Sequence, residues 1–210
     1  MLTITNAAVG YHDQWLFEPI DLSVDKGQIM LIDAPSGAGK SSLLRWIAGL
    51  NTEHMISNGH IWLNDQCLDH SPAEQRHIGF LFQSALLFPH LTVAENLGFG
   101  IPQSYQKAER QDRIADALRR AGMAGWEHRD PDTLSGGQAA RVALLRTILA
   151  EPKALLMDEP FSSLDNDMRD QIIDLVKNEM SRLHLPVLMV SHDPRDHTLT
   201  QHPVIHLTPC

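Results

Sequence analysis

Apolar runs of strand length recur along this chain and alternate with stretches of helical periodicity. The runs 29–32, 154–157 and 187–190 each consist of four consecutive apolar residues, which is typical of strands buried on both faces. The stretches 139–149 and 166–183 place apolar side chains at helical spacing. This alternation of buried strands and amphipathic helices predicts an α/β fold.

Shorter strand-like segments lie outside these elements. Residues 2–9 alternate apolar and polar side chains, as a half-buried strand does, and 16–24 is a second such segment. Residues 59–64, 78–82 and 204–207 also have strand character. We therefore expect further β-structure beside the buried strands.

The middle of the chain changes to helical character. Helix formers dominate from 93 to 123, apolar residues share one helical face there, and Gly122 is a suitable cap. We predict that 91–150 is a helical insertion. Its entry, 86–91, is unusually apolar for a loop. This entry segment either packs under the insertion or is a docking surface for an apolar partner, and the sequence leaves both open.

A glycine-bearing loop joins the strand 29–32 to the helix that follows it. Gly37 and Gly39 let the backbone approach an anion, and the unpaired amides and dipole of the helix N-terminus favour negative charge there. Lys40 supplies a point charge for terminal phosphates, and the Ser41 hydroxyl is a suitable Mg²⁺ ligand. The pattern predicts a phosphate-binding loop made of Ala34, Pro35, Ser36, Gly37, Ala38, Gly39, Lys40, Ser41 and Ser42.

The loop departs from the strict phosphate-binding pattern at its start. Ala34 occupies the position at which that pattern has glycine, and the acidic Asp33 precedes it. An alanine that needed a positive φ would cost about 1 kcal/mol relative to glycine. Asp33 would repel phosphate if its side chain pointed into the loop. The departure therefore bears on nucleotide affinity, although it removes no phosphate donor.

Tyr11 is an aromatic residue shortly ahead of this loop in the sequence. Its ring either stacks on a purine base or packs on the edge of the strand 2–9. Aromatic rings bury a large area in both arrangements, so the residues alone leave both open.

A second helix start that favours anions occurs at 134–138. Ser135 is a suitable N-cap for the helix 139–149. Gly136 and Gly137 weaken the start of that helix unless a ligand must approach its backbone closely. A phosphate is such a ligand, because the same amide and dipole interactions hold it. We therefore predict a second phosphate-binding segment.

Polar side chains follow several of the predicted strands. Asp158 and Glu159 follow one buried strand, His192 follows another, and Gln83 follows a shorter one. Ligands of open α/β sheets lie at the carboxyl ends of strands. An aspartate there can hold Mg²⁺ through water, and the next carboxylate can orient or deprotonate the attacking water. A histidine there can contact a terminal phosphate.

Composition narrows the classes of function. Lys and Arg total 17 against 26 for Asp and Glu, so the formal net charge is -9. Such an acidic chain is a poor candidate for a long nucleic-acid surface, and no nucleic-acid partner is expected. No secretory signal is evident, and the apolar runs are far shorter than the roughly 20 residues of a membrane span. Cys67 and Cys210 are too few for a disulfide framework or a zinc site, as suits a reducing cytosol.

In this order the motifs resemble those of an ATP-binding cassette (ABC) ATPase, over nearly the whole chain. Segment 134–138, Leu-Ser-Gly-Gly-Gln, matches the signature motif of that family and is far more specific than a phosphate loop alone. The resemblance implies a P-loop NTPase (RecA-like) core with an antiparallel β subdomain and an inserted α-helical subdomain. We expect one ABC ATPase domain over 1–210, with core and β subdomain at 1–90 and 151–210 and the helical subdomain at 91–150.

The resemblance also implies roles for individual residues, with ATP and Mg²⁺ as cofactors. Glu159 resembles the catalytic base, His192 the switch histidine and Gln83 the Q-loop glutamine, and these three are the implied catalytic residues. Ser41, Gln83 and the Walker B residue Asp158 are the implied Mg²⁺ ligands. The implied ATP-binding residues are the adenine-stacking Tyr11, the Walker A loop from Ala34 to Ser42, the signature residues Ser135, Gly136, Gly137 and Gln138, and the D-loop residue Asp165.

Partners are implied in the same way. Two copies form a head-to-tail homodimer with ATP bound, so that Lys40 of one copy and the signature segment of the other hold the same phosphate. Residues 88–97 resemble those of bacterial importer ATPases, in which the region after the Q-loop glutamine receives a helix of a separate membrane subunit. We therefore expect permease subunits to dock near Gln83 to Leu97 and a solute-binding protein in the full system. The expected location is the cytoplasmic face of the bacterial inner membrane, as a peripheral protein.

Among importers the chain is similar in kind to the compact thiamine-type subunits, because it ends shortly after the catalytic core. It departs from importer relatives at Ala139 and Ala140, where they usually carry polar or basic residues. An ABC exporter or lipoprotein-release ATPase stays an alternative. ABC ATPases of DNA repair or translation generally join two cassettes or insert long coiled coils, and this sequence has no sustained heptads. A P-loop small-molecule kinase would leave the signature motif unexplained.

Overall fold

The structure, a computed structural model, describes residues 1–162, 164–200 and 202–210. Its strands in these ranges are β1 (Leu2–Tyr11), β2 (Gln14–Trp15), β3 (Ile20–Val24), β4 (Ile29–Asp33), β5 (Met55–Leu63), β6 (Gln66–Cys67), β7 (Ile78–Leu81), β8 (Ala154–Asp158), β9 (Val187–Ser191) and β10 (Ile205–His206). Its α-helices are α1 (Lys40–Ala48), α2 (Val93–Gly100), α3 (Lys107–Arg120), α4 (Gly136–Leu149) and α5 (Asn166–Leu183). The predicted α/β class is confirmed.

The chain divides into two compact units. The first unit consists of Met1–Phe80, Lys153–Glu159 and Met180–Cys210, and the second of Leu81–Pro152 and Pro160–Glu179. The phosphate-binding loop belongs to the first unit and the signature segment to the second. The domain boundaries expected from the sequence stay a prediction.

A five-stranded sheet with the order β10-β4-β9-β8-β7 organises the first unit. β9 pairs in parallel with both β4 and β8, and β10 pairs in parallel with β4. Every residue of β8 and β9 is buried, which explains their uninterrupted apolar sequences. Because parallel strands end at the same edge of a sheet, the segments that follow β4, β8 and β9 lie together.

β1 is the centre of an antiparallel sheet, also in the first unit, where it pairs with β2, β3 and β5. Its register with β5 shifts between Thr5 and Ala8, at a bulge in which Asn6 has a φ of 51°. Opposite the bulge, Gly59 has a φ of 113°, and a Cβ there would lie 2.6 Å from the carbonyl oxygens of Thr5 and Asn6. The bulge therefore requires glycine at this position.

The strand predicted for 16–24 is wrong in its first half, since β3 begins only at Ile20. The fully buried Phe17 instead forms an isolated bridge with Pro209, near the C-terminus. Pro19, directly before β3, has no amide hydrogen to continue a strand ladder. A pairing with a distant part of the chain thus interrupts a segment that looks continuous in the sequence.

The core of the first unit fixes the start of α1 beside the end of β8. α1 packs against both β1 and β8. Apolar side chains of these elements and of β3, β5 and β9 form one buried cluster. Its fully buried members include Leu2, Ile4, Phe17, Ile32, Leu43, Leu44, Ile47 and Ile61.

Helices make up most of the second unit, in which α2 packs against α3 and α4. The helical stretch predicted for 93–123 forms two helices, because Ile101 before Pro102 adopts an extended conformation with a ψ of 130°. Ser135 is the N-cap of α4, as predicted, and the bounds of α5 agree with the predicted helix 166–183. In the described ranges, no helix combines the length and apolar character that crossing a bilayer requires.

Candidate functional site

The phosphate-binding loop leads into α1 through a glycine that the fold requires. Gly39 is the N-cap of α1 with a φ of 91°, and a Cβ there would lie 3.0 Å from atoms of Leu16 and Phe17. Gly37 also has a positive φ, 83°, but with open space around it. Ala34 lies outside the left-handed region, so its replacement of glycine imposes no backbone strain.

Lys40, the first residue of α1, is buried and folds back over the loop. Its Nζ atom donates hydrogen bonds to the carbonyl oxygens of Ala34, at 2.5 Å, and Pro35, at 3.1 Å. The same Nζ lies 3.7 Å from Oε1 of Glu159. The ammonium group is thus held by two carbonyl oxygens of the loop and lies near the Glu159 carboxylate.

Ser41 and Asp158 meet although 117 positions separate them in the sequence. The Ser41 hydroxyl donates to Oδ1 of Asp158 at 2.8 Å. Burial raises the pKa of the Asp158 carboxyl, while the hydrogen bond from Ser41 opposes this change. The pair brings a hydroxyl and a carboxylate oxygen together at the start of α1.

This donor pair fits Mg²⁺, which takes one or two protein oxygens and otherwise keeps water or phosphate oxygens. Within the described residues, no group of three or more His, Cys, Asp or Glu side chains is arranged to hold a metal ion. A site built from Ser41 and Asp158 is therefore suited to an ion that arrives with its own phosphate and water ligands.

Glu159 and His192 lie beyond the ends of the neighbouring strands β8 and β9. Oε1 of Glu159 is 3.0 Å from Nδ1 of His192. Glu159 has a φ of 46°, and its amide donates to the carbonyl oxygen of Val190 at 3.0 Å. This left-handed turn directs the carboxylate to the imidazole and to Lys40. The structure thereby groups four residues that the sequence predicted for the site: Lys40, Asp158, Glu159 and His192.

Tyr11 is the last residue of β1, and its hydroxyl lies 3.3 Å from the Ser42 hydroxyl. The hydrogen bond with Ser42, and next a hydrogen bond with Thr52, lower the pKa of the Tyr11 phenol. The half-buried ring is thus tied to the first turn of α1, directly after the phosphate-binding loop.

Asp33 faces two histidines that sequence reasoning missed. Its Oδ2 atom lies 3.4 Å from Nε2 of His197 and 3.9 Å from Nδ1 of His206. The carboxylate therefore approaches these two rings at the end of β4. Neither histidine belongs to a motif, and the chain contains 12 histidines, so no signal in the sequence singled them out.

Gln83 and Asp165 lie in the second unit. Nε2 of Gln83 donates to the Ser162 hydroxyl at 3.1 Å. Oδ1 of Asp165 accepts from the amide of Met168 at 2.9 Å, so Asp165 caps the start of α5. A cavity of about 130 Å³ in this unit is lined by Leu81, Phe82, Gln83, Ser84, Ala85, Gly136, Ala139, Ala140, Ala143 and Pro160. The small side chains of α4, including the departures at 139 and 140, form one wall.

The signature segment starts α4 with a capping box. The Ser135 hydroxyl accepts from the amide of Gln138 at 3.4 Å, and Oε1 of Gln138 accepts from the amide of Ser135 at 3.0 Å. The two glycines differ in what surrounds them. A Cβ on Gly137 would lie 2.0 Å from Sδ of Met168, whereas one on Gly136 would meet nothing within 4 Å among the described residues.

The apolar entry segment 86–91 is held by polar contacts while part of it faces solvent. Arg146 of α4 donates to the carbonyl oxygens of Leu86, at 3.0 Å, and Ala85, at 3.2 Å. Its guanidinium carbon lies 5.3 Å from the ring centroid of Phe88. The Leu86 side chain is 56% exposed, and that of Phe99 on α2 is 70% exposed. Residues whose backbone is fixed therefore present apolar side chains to solvent.

Asn96, fully buried on α2, fixes the rest of this segment. Its Nδ2 atom donates to the carbonyl oxygens of Phe88, Leu91 and Thr92, each at 3.1 Å. Its Oδ1 accepts from the amide of Phe88 at 2.8 Å. One buried side chain thus satisfies backbone groups of three residues in the loop between the Q-loop residue and α2.

Comparison with known proteins gives similarity over most of the chain. The sequence pattern of the family described as "ABC transporter" matches residues 17–162. The ABC transporter ATP-binding protein YnjD of Escherichia coli (strain K12) is 45% identical over 196 residues, which covers 93% of this chain and 90% of that protein.

Two relatives with named transport systems are longer. The spermidine/putrescine import ATP-binding protein PotA of Salmonella typhimurium (strain LT2) is 36% identical over 197 residues, and the sulfate/thiosulfate import ATP-binding protein CysA of Gloeobacter violaceus is 38% identical over 196 residues. Each match covers 93% of this chain, but only 51% of PotA and 56% of CysA. The chain therefore spans about half the length of these relatives.

Solved structures of ABC cassettes are also similar to this chain, over nearly its whole length. The dimeric post-hydrolysis state of the ATP-binding cassette MJ0796 bound to ADP and Pi superposes with a TM-score of 0.83 at 26% sequence identity. The match covers 99% of this chain and 94% of that one. A second dimeric structure of MJ0796, described as a bacterial ABC transporter cassette, matches equally well.

Proposed function

Since this chain belongs to the ABC transporter family and is one of its ATP-binding, ATP-hydrolysing cassettes, we propose that it is the energy-coupling subunit of a bacterial solute importer. The resemblance drawn from the sequence is confirmed by these matches. The observation that carries the proposal is the grouping of Lys40, Asp158, Glu159 and His192 at the loop before α1. The names of PotA and CysA, both import proteins, support import as the direction of transport.

ATP binds with its phosphates along the loop 34–42. Amides at the start of α1 donate to the phosphate oxygens, and the helix dipole favours their charge. Lys40 exchanges the carbonyl oxygens of Ala34 and Pro35 for oxygens of the terminal phosphates. Tyr11, held beside Ser42, offers its ring to the adenine base.

Hydrolysis uses Glu159 as the general base. A water molecule attacks the terminal phosphorus, the bond to the bridging oxygen of ADP breaks, and Glu159 accepts the proton of the attacking water. His192 fixes the orientation of that carboxylate through its 3.0 Å contact and faces the transferred phosphate. Gln83 orients the water as the Q-loop glutamine. ADP and inorganic phosphate are the products.

Ser41 and Asp158 would hold Mg²⁺, with Gln83 as the further ligand predicted from the sequence. When bound, the ion neutralises charge that develops on the phosphate oxygens. The hydroxyl and carboxylate are already 2.8 Å apart, so little rearrangement of the chain is needed to bind it.

The ATP-bound form is a head-to-tail homodimer. The residue of this chain that supports the homodimer is Gly136, because the surrounding fold does not require glycine there. A glycine in open space at the start of a helix suits the close approach of an anion from outside the chain. Ser135, Gly136, Gly137 and Gln138 of one copy then meet the nucleotide of the other, and Asp165 lies at the same contact. The dimeric state of MJ0796 supports this arrangement.

The Glu159→Gln variant tests the site and the dimer together. Glutamine keeps the length of the side chain but cannot accept the proton, so ATP is bound and retained. We expect this variant to become dimeric with Mg-ATP in size-exclusion chromatography with light scattering, and to return to monomer in ADP. The same variant with Lys40→Ala added is the matched control that cannot hold nucleotide. A variant that stays monomeric and free of nucleotide contradicts the proposal.

The membrane subunit docks on the apolar surface near Gln83 to Leu97, where Leu86 is exposed, with Phe99 of α2 as a further exposed apolar side chain. This places the chain on the cytoplasmic face of the bacterial inner membrane as a peripheral protein, in a system that includes a solute-binding protein. Co-expression with a candidate permease chosen from the neighbouring genes tests this part. We expect the permease to co-purify with the chain and to change its ATPase rate, and Leu86→Asp to abolish both effects. An unchanged rate and no co-purification contradict the importer assignment.

A further inference from the structure

Two buried polar residues close the loop that carries His192. Ser191 ends β9 and is 4% exposed, and Asp196 lies in the 3₁₀ turn Pro194–Leu199 and is 2% exposed. The Ser191 hydroxyl donates to Oδ2 of Asp196 at 2.5 Å. A hydrogen bond between buried groups is stronger electrostatically than one exposed to water. The pair therefore holds the two ends of this loop together.

Further bonds inside the loop leave it little freedom. The amide of Asp193 donates to the Ser191 hydroxyl at 3.0 Å, so that hydroxyl is bonded on both sides. The amide of Asp196 donates to the carbonyl oxygen of Asp193 at 2.9 Å. The carboxylate of Asp193 in turn accepts from the amide of Arg195, also at 2.9 Å. These contacts tie the backbone on both sides of His192.

The His192 side chain itself is 56% exposed. An exposed ring on a mobile backbone would populate several positions, whereas its Nδ1 must stay within 3.0 Å of the Glu159 carboxylate. Packing of the ring does not supply that restraint, so the restraint must come from the backbone. The buried bond between Ser191 and Asp196 is where the backbone of the loop is fixed to the end of β9.

We propose that Asp196 and Ser191 are positioning residues for ATP hydrolysis, which act by fixing His192 against Glu159. Neither is among the residues assigned to nucleotide binding. This inference rests on the role given to His192 under the proposed function. Misplacement of a catalytic group by about 1 Å can lower a rate roughly a hundredfold. Loss of the buried bond is therefore expected to lower kcat and to leave ATP binding intact.

The test compares Ser191→Ala, which removes the bond, with Ser191→Thr, which keeps a hydroxyl. Each is made in the natural chain and in the His192→Ala variant, and kcat, KM for ATP and the melting temperature are measured. We expect Ser191→Ala to lower kcat at least about tenfold with KM changed less than about twofold. Ser191→Thr should recover most of kcat. In the His192→Ala background, Ser191→Ala should change kcat less than about twofold, because residues that act through one group are not additive.

Asp196→Ala, made in the same two backgrounds, tests the other side of the bond. It should lower kcat as much as Ser191→Ala does. The double variant with both substitutions should be no slower than either single variant. If the losses of kcat caused by Ser191→Ala or Asp196→Ala multiply with the loss caused by His192→Ala, the inference is overturned. The pair would then act independently of His192. A loss of kcat that follows the fall in melting temperature and is not recovered in Ser191→Thr would also overturn the inference. If His192→Ala alone keeps full activity, the role proposed for His192 fails. This outcome differs from the two above, because it appears in the single His192→Ala variant.

Discussion

Oε1 of Glu159 lies 3.0 Å from Nδ1 of His192, although the two residues follow different strands. The parallel register explains the contact, because Asp158 at the end of β8 pairs with Val190 near the end of β9. The left-handed backbone of Glu159 then turns its carboxylate to the imidazole. The sheet thus brings the glutamate and the histidine to the same edge, and shortening the glutamate by one methylene tests how much their separation matters.

Glu159→Asp keeps a carboxylate but withdraws it from His192. We expect kcat to fall about a hundredfold, because the base no longer reaches the attacking water, while the Kd for ATP changes less than about threefold. Aspartate tolerates a positive φ better than glutamate, so the melting temperature should not fall. Steady-state kinetics and nucleotide titration provide the measurements. A variant with nearly full kcat would show that the separation of the two groups is unimportant.

Asp158→Asn should stabilise the protein and inactivate it. Burial raises the pKa of the Asp158 carboxyl, so the native state binds its proton more tightly than the unfolded state. That contribution to stability is fully present below the ordinary pKa of the carboxyl and is lost as pH rises through the native value. At neutral pH the buried charge therefore costs stability, which asparagine removes while its oxygen can still accept the bond from Ser41.

Thermal unfolding without Mg²⁺ at several pH values checks this prediction. We expect the melting temperature of Asp158→Asn to exceed that of the natural chain at pH 7, and the difference to disappear near pH 4. Mg-dependent ATPase activity should fall at least about a hundredfold. A variant that is less stable at neutral pH would mean that the ionised carboxylate is stabilised by its surroundings.

Gly136 and Gly137 form a matched pair within the signature segment. Gly136→Ala adds a methyl group in open space, so we expect an unchanged or slightly raised melting temperature, together with loss of the ATP-driven dimer. Gly137→Ala drives a Cβ into Met168, so about 1–3 kcal/mol of stability should be lost. Melting curves and light scattering with Mg-ATP in the Glu159→Gln background separate the two effects. Retention of the dimer by Gly136→Ala would count against the head-to-tail contact.

Asp33→Asn addresses the acidic residue before the phosphate-binding loop. The carboxylate lies against His197 and His206, and it is partly exposed, so its repulsion of phosphate is screened. We expect the Kd for ATP to change less than about threefold, as measured with a fluorescent nucleotide. A tightening of more than about tenfold would mean that Asp33 does lower nucleotide affinity.

Arg146→Met removes two hydrogen bonds to the carbonyl oxygens of Ala85 and Leu86. We expect hydrogen exchange of the amides of 85–88 to accelerate at least about tenfold, because local opening of the segment becomes easier. Arg113→Met is the control on α3, where the arginine pairs with Glu151 at the surface. Equal rates of hydrogen exchange at 85–88 in the two variants would show that Arg146 does not hold these residues in place.

Sequence reasoning succeeded where the cause is local or follows from a rule of sheet topology. Ser135 was recognised as an N-cap because a serine before a helical run is a local signal. The approach of Ser41 to Asp158 could be expected, because Asp158 ends a parallel strand and Ser41 follows the loop after another. The broken strand at 16–24 could not, since its cause is the bridge of Phe17 with Pro209, far along the chain. Likewise, no motif marks Asp196 as the partner of Ser191.

The carbonyl oxygens of Ala34 and Pro35 occupy the hydrogen bonds of Lys40 that a nucleotide would otherwise satisfy. Under the proposed function, binding of ATP therefore exchanges these backbone acceptors of Lys40 for phosphate oxygens. Under the proposed function, the ammonium group can return to these carbonyl oxygens once the terminal phosphate has departed, so that its contact with the remaining ADP weakens. If Lys40 binds phosphate as proposed, the backbone of the loop competes with ADP for its ammonium group, and this competition favours ADP release.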